Sequence, residues 1–191
     1  MMDINLQKKN QRASSVKNRL HLHKKINKKN LLFYKILNSH HWFKKSTVIA
    51  SFVSIKSEIS TISLNEFILK SGKILCLPVV TDDNNGKLIF KKFQKGDHLV
   101  EGKFEILEPI NTSSCTPDII FTPCLAYDKY GYRLGYGGGF YDKTISYLHS
   151  IQHTFLKVGL AYDDQKVDRV IHNHLDQKLN YILTEKQLYE I

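Results

Sequence analysis

The chain has 191 residues, 42% apolar and 11% aromatic, values that suit one domain with a full core. It has no run of about 20 apolar residues to span a bilayer, and its first residues lack a secretory signal's apolar stretch; a cytoplasmic protein is expected. The net charge of +10 is uneven: residues 1–45 carry twelve Lys and Arg against Asp3 alone, a net +11, and the remainder has 16 basic and 17 acidic residues. Such a basic segment suits nucleic acid, a membrane surface, a polyanionic small molecule or merely a solvated helix face.

Residues 1–12 are polar and read as an extended, flexible basic segment. From Ser14 to Ser39 the apolar positions Leu22, Ile26, Phe33 and Leu37 recur at helical spacing, with lysines opposite. Ser46–Val53 is rich in β-branched residues and reads as a buried strand. The loop beyond it carries Glu58, at the position where open α/β sheets bind ligands. Ser63 reads as the cap of a short helix to Lys70, and residues 73–80 form a second strand holding Cys76 as a small core residue. The turn Asp82–Gly86 predicts a hairpin into 87–93. Residues 104–107 read as a short edge segment and 110–117 as a loop. The three cysteines, Cys76, Cys115 and Cys124, form no CxxC pair and argue against a disulfide framework or zinc knuckle.

The most informative stretch is Arg133-Leu-Gly-Tyr-Gly-Gly-Gly-Phe-Tyr-Asp142. An apolar strand at 118–123 precedes it. A helix beginning near Tyr141 follows, read from Tyr141, Ile145, Leu148 and Gln152. Strand, glycine loop and helix start together expose backbone amides and the positive end of a helix dipole, which suits an anion or nucleotide. Arg133 adds a forked donor for the same anion. The stretch matches neither the Rossmann nor the Walker A pattern. Apolar runs at 156–162 and 180–183 complete the strands. The expected fold is an α/β open, mainly parallel sheet with helices on both faces, three layers in one domain spanning 1–191, with an N-terminal helical segment. His172-x-His174 with Asp176 reads as loop chemistry rather than zinc.

The glycine stretch resembles the hallmark of the 5-formyltetrahydrofolate cyclo-ligase family, also called methenyltetrahydrofolate synthetases, and further matches follow in family order. They are Lys8–Arg12, Ser57–Thr61, Glu108–Pro109, Asp118–Ile120, Pro123 and Leu175–Leu179. The resemblance implies a Mg²⁺-dependent enzyme that uses ATP to phosphorylate the formyl oxygen of 5-formyltetrahydrofolate. Nitrogen 10 then attacks the formyl carbon, giving the 5,10-methenyl product, ADP and phosphate. It also implies site residues. ATP would contact Lys8, Lys9, Arg12, Arg133, Leu134, Gly135, Tyr136, Gly137, Gly138, Gly139, Phe140 and Tyr141. The reduced folate would contact Val53, Glu58, Tyr136, Gly137, Gly138, Gly139 and Phe140, and Asp142 and Asp176 would hold Mg²⁺. Phe140, Lys143, Leu175 and Asn180 depart from the family's usual Tyr, Arg, His and Asp. No covalent nucleophile is required, no nucleic-acid or membrane partner is expected, and a monomer is expected.

Two other readings compete. A nucleic-acid-binding protein would use the basic N-terminal segment and the Tyr130–Tyr136 run as stacking rings. A nucleotide-binding relative without folate activity would keep the glycine loop alone. Phosphate release that depends on formylfolate separates the enzyme from both.

Overall fold

The computed structural model describes residues 3–26, 33–81, 86–110 and 113–191, without the side chain of residue 105. In chain order the elements are α1 (Ile4–Lys25), α2 (Phe33–Leu37), α3 (His41–Lys45), β1 (Val48–Ala50), α4 (Ile62–Lys70), β2 (Ile74–Val80), β3 (Leu88–Phe93), β4 (Leu99–Glu101), β5 (Leu107–Pro109), β6 (Ser114–Cys115), β7 (Ile119–Pro123), β8 (Ala126–Tyr127), β9 (Arg133–Leu134), α5 (Phe140–Ser150), β10 (Leu156–Leu160), β11 (Tyr181–Leu183) and β12 (Leu188–Glu190).

Eight strands form one sheet in the order β12-β11-β10-β7-β1-β2-β3-β6. The five central strands, β11 to β2, run parallel, while β12, β3 and β6 pair antiparallel at the edges. Strand side chains alternate between faces. Ile49, Leu75, Ile119 and Phe121 therefore meet Phe33, Leu37, Phe43, Leu64 and Ile68 from α2, α3 and α4 on one face. Ala50, Cys76 and Ile120 point the other way, onto Ile145 and Leu148 of α5. The result is the expected three-layer α/β arrangement. Small residues at 50 and 76 let α5 lie close to the sheet.

The boundaries differ from the sequence reading in instructive ways. Helix α1 begins at Ile4, so residues 4–12 are helical rather than extended. The Asp3 carboxylate caps it, accepting from the Asn5 amide at 3.1 Å. Its buried residues are Lys8, Ser15, Arg19 and Leu22, a stripe at helical spacing that is mostly polar and so gives no apolar periodicity. The helical pattern expected over 14–39, with Asn27 and Asn30 as a possible break, corresponds to α1 ending at Lys25 and a separate α2 starting at Phe33; residues 27–32 lie outside the described residues. The strand expected over 46–53 pairs only at Val48–Ala50. Thr61, not Ser63, occupies the cap position of α4, and its side chain makes no cap bond. β2 and β3 pair from Val80↔Leu88 to Leu75↔Phe93, as the hairpin requires, although 82–85 fall outside the described residues. The segment expected at an edge over 104–107 divides: Phe104 has φ 61° within a 3-10 turn, and Leu107 opens β5. Within the expected 110–117 loop, Ser114 and Cys115 pair with β3.

Candidate active site

The central strands diverge at β1: the chain passes from β1 to β2 on one side and later from β7 to β10 on the other. Loops leaving the carboxyl ends of β1 and β7 therefore part, and a crevice forms where such sheets bind ligands. A cavity of about 1100 Å³ occupies it. Its walls come from the loop after β1, the end of β2, the 104–108 segment, the glycine loop, the start of α5, the 173–177 loop and one face of α1.

The hairpin β8–β9 delivers the glycine loop. Gly137 and Gly139 adopt φ of 111° and 69°, a region that disfavours side chains. Gly139 is the N-cap of α5 and supplies no side-chain cap, so backbone amides and the helix dipole present the positive end of α5 to the cavity. A Cβ on Gly138 would lie 2.4 Å from the Phe140 ring, so the ring folds against bare backbone. Arg12 lies along the same loop, donating from Nε to the Gly135 carbonyl at 3.0 Å. The guanidinium carbon of Arg12 would sit 3.3 Å from a Cβ on Gly137.

Two ion pairs tie this phosphate-like end together. Arg133 Nη1 meets Asp142 Oδ1 at 3.1 Å and donates to the Gln177 carbonyl at 3.2 Å, while the Gln177 amide donates to the same Asp142 oxygen at 2.9 Å. Lys8 donates to Asp176 Oδ2, which also accepts from the Asn173 amide at 2.6 Å. The start of α5, the 173–177 loop and α1 are thereby joined around one charge-dense corner.

Among the described residues, Asp142 Oδ2 and Asp176 Oδ1 accept no hydrogen bond. Two carboxylates, each with one uncommitted oxygen in a cavity lined with cations, fit a magnesium ion completed by water and phosphate oxygens. No three His, Cys, Asp or Glu side chains among the described residues cluster to hold a metal unaided. His172 stacks on Tyr132 at 3.6 Å between ring centroids and takes no part in such a set.

The cavity also has an apolar lining, which includes Phe52, Val53, Pro78, Phe104 and Phe140 as well as Glu58. The Phe104 ring lies 5.5 Å from that of Phe140. Glu58 is only 5% exposed. Although it sits in a loop, it is therefore not solvated. Its Oε2 accepts from the Ile55 amide at 2.9 Å, and its Oε1 faces Arg19 Nη1 at 3.6 Å. Burial pushes its carboxyl up to about 7, against the Ile55 hydrogen bond and the charges of Arg19 and Lys56. Burial also raises the phenols of Tyr136 and Tyr141 and pushes the Cys124 thiol up to about 12. Cys124 lines the cavity, where burial disfavours its thiolate.

Of the sequence-derived site residues, Val53, Glu58, Lys8, Arg12, all ten residues from Arg133 to Asp142, and Asp176 line this one cavity. Lys9 does not: it is exposed, about 100° around the helix from Lys8. The sequence reading overlooked Arg19, Phe104, Lys87, Asn173 and Gln177. For Arg19 a signal existed: positions 8, 12, 15, 19 and 22 step by three and four along one face of α1.

The fold and cavity define an α/β protein whose crevice joins the amide-lined start of α5 to an apolar wall carrying a buried carboxylate. A family model described as the 5-formyltetrahydrofolate cyclo-ligase family matches residues 6–185, and the chain belongs to that family. It is similar to the 5-formyltetrahydrofolate cyclo-ligase of Escherichia coli K12, 34% identical over 148 residues, covering 74% of this chain and 80% of the relative. The cyclo-ligase of Haemophilus influenzae is 37% identical over 140 residues, covering 71% and 74%. Among solved structures, the 5,10-methenyltetrahydrofolate synthetase of Aquifex aeolicus superposes with a TM-score of 0.72 at 28% identity, covering 94% of this chain and 92% of that one. The chain is thus an ATP-dependent ligase of one-carbon metabolism that converts 5-formyltetrahydrofolate to 5,10-methenyltetrahydrofolate.

Proposed function

We propose that the cavity divides the work of this reaction between its two ends. The triphosphate of ATP lies along the amides of Gly137–Gly139, against Lys8, Arg12 and Arg133. The pterin of 5-formyltetrahydrofolate lies between the aromatic walls, with its ring N–H groups donating to Glu58, since an ionised carboxylate is acceptor-only. The observation that carries this reading is that one cavity joins the capless start of α5 to a buried, incompletely paired carboxylate.

The formyl oxygen is then directed at the γ-phosphoryl group. Phosphoryl transfer turns it into a leaving group and releases ADP. Nitrogen 10 attacks the formyl carbon, and inorganic phosphate departs as the methenyl bridge closes. The protein contributes position and fixed charge rather than a covalent intermediate. Arg133, only 8% exposed and held by Asp142 and the Gln177 carbonyl, cannot swing into solvent and keeps its charge beside the transferring group. Asp142 and Asp176 would hold Mg²⁺, which supplies charge neutralisation for the phosphate oxygens. One chain supplies all the proposed contacts, so a monomer would suffice for the reaction.

Binding measurements on two variants test the division. Lys8→Met is expected to weaken ATP binding about tenfold and leave 5-formyltetrahydrofolate binding unchanged, the loss of one charge-assisted contact. Glu58→Gln is expected to do the reverse. Equal effects of both variants on both ligands would contradict the assignment of the two ends.

A further inference from the structure

Arg19 is the largest fully buried side chain among the described residues, 1% exposed, yet it does not line the cavity. Its fork joins four separate groups. Nε donates to Ser57 Oγ at 3.2 Å and Nη1 to the Cys124 carbonyl at 3.3 Å. Nη1 also faces Glu58 Oε1 at 3.6 Å, and Nη2 donates to the Tyr136 hydroxyl. One side chain from α1 therefore meets the loop after β1, the end of β7 and the glycine loop.

We propose that Arg19 is a positioning residue for the cyclo-ligase reaction: its fork fixes the Glu58 carboxylate and the Tyr136 ring on the wall that faces the flat substrate ring. The proposal rests on the reading of Glu58 as the folate contact. The geometry has a directional consequence. Oε2 of Glu58 is taken by the Ile55 amide, whereas Oε1 has a cation nearby but no hydrogen bond to it, so Oε1 keeps its lone pairs for an incoming N–H. Arg19 meanwhile spends its close hydrogen bonds on Ser57, Cys124 and Tyr136. Tyr136 is 45% exposed, and its ring lies 5.1 Å from the Arg19 guanidinium carbon, so one cation anchors both its hydroxyl and its face.

A plainer role would be to neutralise a buried carboxylate. Lysine would perform that role too, because it keeps the charge; it cannot reproduce a planar fork with partners in three directions. Ser57 provides a second handle. It is buried outside the cavity and cannot touch the ligand, so an effect of its hydroxyl on folate must pass through Arg19 or the adjoining backbone.

The test measures kcat and the KM of both substrates for Arg19→Lys, Ser57→Ala and Glu58→Gln in the full chain, well below each melting temperature. Arg19→Lys is expected to raise the KM for 5-formyltetrahydrofolate about tenfold and Ser57→Ala about threefold, with ATP KM and kcat within twofold of wild type. If Arg19→Lys does not fold, Ser57→Ala carries the test. Unchanged folate KM in the folded variants, or a loss of melting temperature alone, would overturn the proposal. So would a parallel rise of both KM values with a fall in kcat. If Glu58→Gln raises folate KM while Arg19→Lys and Ser57→Ala do not, only the role of Arg19 falls. If Glu58→Gln leaves folate KM unmoved, the folate contact falls and the proposal with it.

Discussion

Replacing Glu58 by glutamine separates function from stability, because the two should move in opposite directions. The carboxyl of Glu58 lies at about 7 in the fold against an ordinary value of 4.5, with burial as the leading cause. A folded-state value above the unfolded one means that the fold prefers the protonated acid. That contribution is fully present below pH 4.5 and is lost as pH rises through about 7. A displacement of this size is equivalent to about 3 kcal/mol, so the ionised carboxylate costs up to that much above neutral pH. Glutamine keeps an acceptor for the Ile55 amide and never ionises, although it leaves Arg19 without an anion. The expected result is that the variant gains on wild type between pH 4.5 and 7 and then holds its advantage. The ceiling is roughly 6–12 °C in melting temperature for a chain of this size. Thermal melts of both proteins followed by circular dichroism from pH 4.5 to 8.5 check this. Other carboxylates titrate alike in both proteins and cancel in the difference. A difference that stays flat across the window would refute the argument that Glu58 is buried at a cost. Stabilisation combined with weaker folate binding would mark it as a residue kept for function.

Other expectations follow from named contacts. Asp142→Asn and Asp176→Asn should each raise the magnesium concentration needed for half-maximal turnover, and excess magnesium should partly restore it. A titration curve coinciding with wild type would remove that residue from the metal set and leave its ion pair with Arg133 or Lys8 as its role. Gly138→Ala must displace the Phe140 ring, only 2.4 Å from the added methyl, and should cut kcat/KM at least tenfold with a small change in melting temperature; unaltered kinetics would show that the ring's seat on the loop is unimportant.

Where burial is apolar, the sequence spoke clearly. Ile49, Leu75, Ile119 and Phe121 lie in short apolar runs, and the sheet they form is the one those runs imply. The glycine loop was equally legible, because positive φ and close ring packing at Gly137, Gly138 and Gly139 leave few alternatives. What stayed hidden is polar burial. The inward face of α1 carries Lys8, Ser15 and Arg19, so hydrophobic periodicity starts too late and the first turns read as an extended tail. Glu58 resembles a solvated loop residue until Arg19, distant in sequence, is seen beside it. Lys9 is next to Lys8 in the chain but points away from the cavity, a distinction that requires knowing the segment is helical. The pairs β8–β9 and β4–β5 are two and three residues long, too short for any period to register.

Above all, the proposed cavity should cyclise 5-formyltetrahydrofolate at the expense of ATP. The direct measurement is the near-ultraviolet absorbance of the 5,10-methenyl product, followed with purified full-length protein, 5-formyltetrahydrofolate, ATP and magnesium. A steady rise is expected that is absent without ATP and matched mole for mole by released phosphate. Folded protein that gives no rise with intact substrate, or a rise that proceeds equally well without ATP, would contradict it.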